Sequence, residues 1–231
     1  MNRSLQKALA AIAALSVAGG ISLAQETPEK LAQETPEKLA QKTPDKQVYM
    51  AANAHFDTQW RWNVRQSIGE FLPNTLYQNF ALMEQYPDYK FSFEGAVKHY
   101  WTKEYYPHLY STLVKYVKEG RWYPAGASWD ANDFNVPSAE SNFKNILLAE
   151  EFYKAEFGVK SYDIMLPDCF GFGYALPSIA SHCGVFAFHT QKLKWRNNPF
   201  YEGGKKWPFE FGIWEGVDGS RILMAPDGSS Y

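Results

Sequence analysis

Residues 48–52, VYMAA, form a short and nearly unbroken apolar run, the composition of a parallel strand covered on both faces. Polar chemistry follows at once, with His55 and Asp57 just beyond it. Residues two apart share one face of an extended chain, so this imidazole and this carboxylate converge. The spacing then turns helical in residues 65–86, where Ile68, Phe71, Leu72, Leu76, Phe80, Leu82 and Met83 recur and Pro73 marks an expected break or kink. Phe91-Ser92-Phe93 alternates as a strand does, with Glu94 at its end. Residues 95–119 read as helical around Tyr100, Trp101, Tyr105, Leu109, Leu113 and Val117, interrupted at Pro107 and stopped by Gly120.

A third strand is expected at residues 122–125, followed by the polar loop GASWDANDFNVP. Ser138 then suits the N-cap of a helix running through Phe143, Ile146, Leu147, Ala149 and Phe152 to Gly158. Residues 162–166 are the next strand, ending at Pro167-Asp168. A glycine-rich turn leads to a short helix at 176–183 and a strand at 185–188, which ends at His189-Thr190. Residues 209–214 and 221–224 flank Gly216-Val217-Asp218-Gly219 as a β-hairpin.

Strands alternating with helices specify an α/β domain with a parallel sheet. The expected class is a parallel (β/α) barrel-like domain. A closed barrel of the common kind needs roughly 200 to 250 residues, so the expectation is an incomplete one, the amino-terminal part of something longer.

Composition changes the picture at the amino terminus. Residues 1–24 carry Arg3 and Lys7, an apolar stretch from Ala8 to Val17, and Ser22-Leu23-Ala24 as a small-x-small context, the organisation of a secretory signal peptide. Residues 25–46 repeat QETPEKLA twice and then vary it as QKTPDK. With proline in each copy and little apolar content, this segment is expected to be a disordered spacer. The domain is therefore assigned to residues 47–231, and the expected location is secreted or periplasmic, with no stable membrane insertion after signal cleavage. Only Cys169 and Cys183 occur, which excludes a disulfide scaffold and a thiolate zinc site. A formal net charge of −2 leaves no basic excess to attract nucleic acid. Aromatic residues reach 17%, with eight Trp and fifteen Tyr; such rings serve large cores and, less often, sugar platforms.

Asp168 ends an apolar strand as His55 and Asp57 do, so a parallel sheet brings all three to one rim. An imidazole and two carboxylates suit zinc and leave room for one more ligand or a substrate hydroxyl. A nearby metal would also keep Asp168 ionised and able to act as a nucleophile. The same positions suit a turn cap at Asp168 and a hydrogen-bonded core histidine at His55.

Four stretches carry a resemblance: HFDTQW at His55, GRWYPAGASWDANDFNVPSAES at Gly120, LPDCFGFGYALP at Leu166 and GVFAFHTQKLKW at Gly184. The hairpin FGIWEGVDGSRIL adds a fifth. The chain resembles glycoside hydrolase family 38, the metal-dependent retaining α-mannosidases. That resemblance implies His55, Asp57 and Asp168 as zinc ligands, Asp168 as catalytic nucleophile, and Trp60 and Phe170 as aromatic residues lining the sugar pocket. It implies terminal α-mannosidic linkages as substrate, in mannose-containing oligosaccharides or glycoproteins. The family's fourth zinc ligand, a histidine, and its acid/base, an aspartate, come from further along the chain and have no counterpart here. Cys169 stands where Thr or Pro is usual, and Gly173 where Ser is common. Two other readings compete: a metal-dependent polysaccharide deacetylase, which usually has a His-x-x-x-His arrangement absent here, and a non-catalytic carbohydrate-binding fragment.

Overall fold

Phe91 and Phe93 point into the core from the central strand of the first ladder, and that ladder sets the direction of everything around it. The computed structural model describes residues 51–194 and 211–226. Strand β1 (Ala52–Asn53) pairs in parallel with β2 (Phe91–Glu94), which pairs in parallel with β3 (Trp122–Ala125). A second sheet has the order β4, β5, β7, β6, where β4 is Asp163–Met165, β5 Ala187–Thr190, β6 Gly212–Glu215 and β7 Arg221–Pro226. Its first three strands are parallel; β6 returns antiparallel to β7. A hydrogen bond of 2.6 Å from the Ala127 N–H to the Asp163 carbonyl joins the end of β3 to β4. The carboxyl ends of successive parallel strands therefore face one rim.

Helices cover the sheets where the 3.6 periodicity predicts. Helix α1 (Val64–Gln66) starts on a capping box, with Asn63 accepting from the Gln66 N–H and Gln66 accepting from the Asn63 N–H. It passes through a π-helical turn (Ser67–Phe71) into α2 (Leu72–Gln85), which buries Leu72, Leu76, Phe80 and Met83 on one face. Pro73 lies at the start of α2, directly after the π turn. The expected break is thus a local widening, because the proline has no N–H to donate there. Pro107 does interrupt: α3 (Ala96–Tyr105) ends and α4 (Pro107–Lys118) begins on it. Ser138 caps α5 (Ala139–Phe157) by accepting from the Ser141 N–H, and Gly158 closes it in the left-handed region at φ 69°.

Two apolar clusters result. The first packs Trp122, Phe91, Phe93, Leu113, Tyr153 and their neighbours beneath β1–β3; the second packs Ile146, Ile164, Leu166, Phe188 and Ile222 beneath β4–β7. Helix α5 serves both, with Ile146 in one and Ala149, Tyr153 and Phe157 in the other. Much of the aromatic content is core, at roughly 1.5–3 kcal/mol for each large side chain fully buried. Helix α6 (Leu176–His182) covers the second sheet. Strand β5 begins two residues later than its pattern predicts, so His189 and Thr190 lie within it. Residues 48–50 of the first expected strand, the leader-like segment and the repeat lie outside the described residues. No helix among the described residues is long and apolar enough to cross a membrane.

Candidate metal centre and active site

Five consecutive parallel strands each deliver a polar or charged group to the shared rim. His55 and Asp57 follow β1, Glu94 ends β2, Asp130 follows β3, Asp168 follows β4 and Lys192 follows β5. His55 Nε2 lies 3.5 Å from Asp57 Oδ1 and 3.8 Å from Asp168 Oδ2. One ligand atom from each of the three falls within 4.8 Å of the others. Zinc ligands about 2.0–2.2 Å from a tetrahedral ion sit roughly 3.3–3.6 Å apart, so this spacing and this donor set fit a divalent cation, and the two carboxylates offset its charge. His55 is the most enclosed of the three and Asp57 the most open, with side chains 10% and 36% exposed.

The other imidazole nitrogen faces inward. His55 Nδ1 lies 2.9 Å from Glu94 Oε1, and the same oxygen accepts from Lys98 Nζ at 2.8 Å. Burial of Glu94 alone would raise its pKa, but the Lys98 charge and the His55 hydrogen bond outweigh it and hold the carboxyl below its usual range. A carboxylate only accepts, so Nδ1 carries the proton and Nε2 turns its lone pair toward Asp57 and Asp168.

The loop between β1 and α1 is pinned from two sides. Thr58 Oγ1 donates to Asp130 Oδ2 at 2.7 Å. Ser67, buried in the π turn, accepts from Trp62 Nε1 at 2.9 Å and donates to the Thr58 carbonyl at 2.8 Å. The widened turn therefore places a hydroxyl where the Asp57 loop needs an anchor. Burial raises the pKa of Asp130, against the opposing Thr58 hydrogen bond and the Lys98 charge.

On the opposite side Lys192 Nζ pairs with Asp168 Oδ1 and lies 4.9 Å from the Phe170 ring centroid. Phe170 is exposed at the rim, joined to the cluster through that lysine. Trp60 is also exposed, but its ring contacts are Arg61, at 4.5 Å, and Trp62. Burial, followed by neighbouring aspartates, pushes the Cys169 thiol up to about 12. Both cysteines are free. His182 ends α6 and bonds Asp218 Oδ2 at 3.0 Å, while His189 sits within β5; neither belongs to the cluster. Glu94, Lys98 and Lys192 escape a local sequence reading because their partners lie on other strands or their chemistry is hidden in a helix pattern. Only the position of Glu94 at a strand end gives a signal.

Residues 45–230 match the family model described as the Glycosyl hydrolases family 38 N-terminal domain. The chain belongs to glycosyl hydrolase family 38. Within that family it is 36% identical over 177 residues to alpha-mannosidase G of Dictyostelium discoideum, covering 77% of this chain and 16% of that protein. It is 34% identical over 186 residues to human alpha-mannosidase 2C1, covering 80% and 17%. The chain thus spans about a sixth of the length of the curated relatives it matches. A crystal structure of an alpha-mannosidase from Enterococcus faecalis V583 superposes with a TM-score of 0.62 at 18% identity, covering 77% of this chain and 20% of that one, which places the fold. The family is one of glycosidases, and the deacetylase reading of the same architecture gains nothing from these matches.

Proposed function

We propose that this family 38 domain contributes the nucleophile and three metal ligands of a retaining α-mannosidase acting on terminal α-mannosidic linkages of glycoproteins or oligosaccharides. The observation that carries the proposal is the convergence of His55, Asp57 and Asp168 within 4.8 Å at the carboxyl ends of the strands. The parallel strands β1–β5 support this reading, because their carboxyl ends gather such groups at one rim. Zinc, held by those three residues, would polarise and fix sugar hydroxyls.

This chain supplies the nucleophile of the first step and the residues that hold it, and the acid comes from elsewhere. Asp168 attacks the anomeric carbon as the glycosidic C–O bond breaks; the departing oxygen takes a proton from an acid, and the carboxylate becomes a glycosyl ester that water later cleaves, returning a proton to the same group as base. Lys192 orients the Asp168 carboxyl from the side away from His55. Phe170 and Trp60, both exposed, would offer aromatic surface for the sugar's apolar side. The reading includes export, supported by the leader-like residues 1–24, and mannose-containing glycans as substrates, supported by the α-mannosidase relatives.

A 2-deoxy-2-fluoro or 5-fluoro mannosyl fluoride tests the nucleophile, because fluoride leaves without protonation and calls on no acid. The zinc-loaded chain is expected to gain one fluoro-sugar mass on the peptide containing Asp168, with none after chelation. Labelling of another residue, or the same labelling of Asp168→Ala, overturns the assignment.

A further inference from the structure

We infer that Lys98 is a positioning residue for the metal centre, gripping the His55-Phe56-Asp57 stretch from beneath by fixing Glu94 against His55 and by seating its ammonium on the Phe56 ring. The inference rests on the metal-site reading above and extends it to residues that touch neither metal nor sugar.

Lys98 is 1% exposed and Glu94 2%. Burying two charges costs several kcal/mol per ion before their attraction is counted, and well-packed apolar residues usually serve stability as well or better. Ordinary helix support does not explain the pair. Glu94 closes strand β2, positive-φ Gly95 (φ 84°) separates it from α3, and Lys98 lies in the first turn of that helix. The strand end and helix start are thus folded so that one ammonium meets one carboxylate, at 2.8 Å, and that carboxylate meets His55 Nδ1 at 2.9 Å.

The second grip is on the residue between the two ligands. Lys98 Nζ lies 4.7 Å from the Phe56 ring centroid and 5.4 Å from that of Phe93, and the two rings are 5.7 Å apart. A cation over an aromatic face is held more strongly in a desolvated setting than at an exposed one. His55 and Asp57 flank Phe56, so holding its ring inward sends both flanking side chains to the opposite face of the extended chain. One lysine therefore fixes the imidazole's orientation and the common direction of the two ligands.

The test compares Lys98→Met and the double variant Glu94→Gln with Lys98→Met, in the full 231-residue chain. The double variant removes both charges and keeps an amide oxygen that can accept from His55, so it is expected to fold better than the single variant, which leaves a buried charge unpaired. Zinc affinity is measured by competition with a chromophoric chelator and referred to the folded fraction from circular dichroism. The His55 tautomer is read in the metal-free chain by long-range nitrogen–proton NMR of labelled histidine, assigned with His55→Gln.

The wild-type chain is expected to show the Nδ1–H tautomer alone. The folded double variant is expected to show mixed tautomers, because an amide unanchored by Lys98 can donate to Nδ1 as well as accept from it, and both folded variants about 10- to 100-fold weaker zinc binding, the range for outer partners of metal-bound histidine. A folded double variant with the Nδ1–H tautomer intact and zinc affinity within threefold of wild type overturns the inference. If the wild-type chain takes up no zinc, the metal reading fails, while the tautomer comparison still decides what Lys98 does.

Discussion

Lys192 Nζ and Asp168 Oδ1 form an ion pair at the carboxyl ends of neighbouring strands, and the other Asp168 oxygen faces His55 Nε2. The lysine and a divalent cation therefore draw on one carboxylate cluster from opposite sides. Replacing Lys192 by Met leaves the partly buried Asp168 carboxylate beside Asp57 without its counter-charge. The expected loss is about 1–3 kcal/mol in the metal-free chain. The site also becomes more negative by one charge, so added zinc should stabilise the variant more than it stabilises the wild type. Thermal unfolding with and without zinc checks both effects; an equal zinc-induced shift in the two proteins would refute the shared-cluster argument.

The histidine hidden deepest in the fold gives a prediction about pH. His99 accepts from Trp122 Nε1 at 3.1 Å through Nε2, and its Nδ1 lies 3.2 Å from the Gly95 carbonyl. Burial lowers its pKa from 6.5 to about 4. Above pH 6.5 the ring is neutral whether the chain is folded or not. Between 6.5 and 4 the unfolded chain takes up a proton that the folded chain refuses, so stability falls as pH falls. Below 4 both states are protonated and this slope ends. The full loss is about 3 kcal/mol. Chemical denaturation at a series of pH values should show that His99→Gln, though less stable at pH 7, has lost this part of the acid dependence. An unchanged slope would remove His99 as its source.

Legibility in the sequence divides by range. Strand alternation at Phe91 and Phe93, the helical stripe of Leu72, Leu76, Phe80 and Met83, the Ser138 cap and the Pro107 interruption are local patterns, and each element stands where the pattern puts it. The meeting of His55 with Asp168 needed only the rule that parallel strands end on one rim. What the pattern could not supply was pairing across the sheet: His55 with Glu94 is a contact between residues 39 apart, and Thr58 with Asp130 between residues 72 apart. Lys98 was illegible for another reason. A lysine in a helix reads as solvated, and only the fold reveals that this one is buried. Trp60 carries the sharpest contrast between a borrowed role and an observed setting, its ring meeting Arg61 and Trp62.

The hairpin motif Trp214-Glu215-Gly216-Val217-Asp218-Gly219-Ser220 was legible as a turn, and its side chains explain why its residues are so particular. Asp218 accepts from Ser178 Oγ at 2.6 Å and from the Ser220 N–H at 3.0 Å, tying the turn to helix α6. Gly216 lies directly against that helix. A Cβ there would fall 2.9 Å from the Ser178 backbone nitrogen and 2.4 Å from its Oγ, and backbone cannot step aside as a flexible side-chain end can. Gly216→Ala is expected to cost about 1–3 kcal/mol, the range for overpacking, measured as a drop in the unfolding midpoint. A midpoint within a degree of wild type would show that the hairpin shifts freely on α6.

Glu150 supplies the opposing pH effect. It accepts from the Ser161 N–H at 3.1 Å, and burial, with Asp163 adding to it, raises its pKa from 4.5 to about 7 against the Ser161 bond and the Lys160 charge. Below pH 4.5 the carboxyl is protonated in both states. Between 4.5 and 7 the unfolded chain ionises while the folded chain keeps its proton, so stability falls as pH rises, and above 7 the loss is complete. Glu150→Gln keeps the acceptor for Ser161 and removes the titration. At pH 8 the variant should exceed the wild type by about 1 kcal/mol, a figure reduced for the side chain's partial exposure; at pH 4 the two should coincide. Because His99 and Glu150 act with opposite sign between about pH 4.5 and 6.5, they partly cancel in the wild type. The two substitutions should tilt its pH profile in opposite directions, and tilts of the same sign would contradict one of the two assignments.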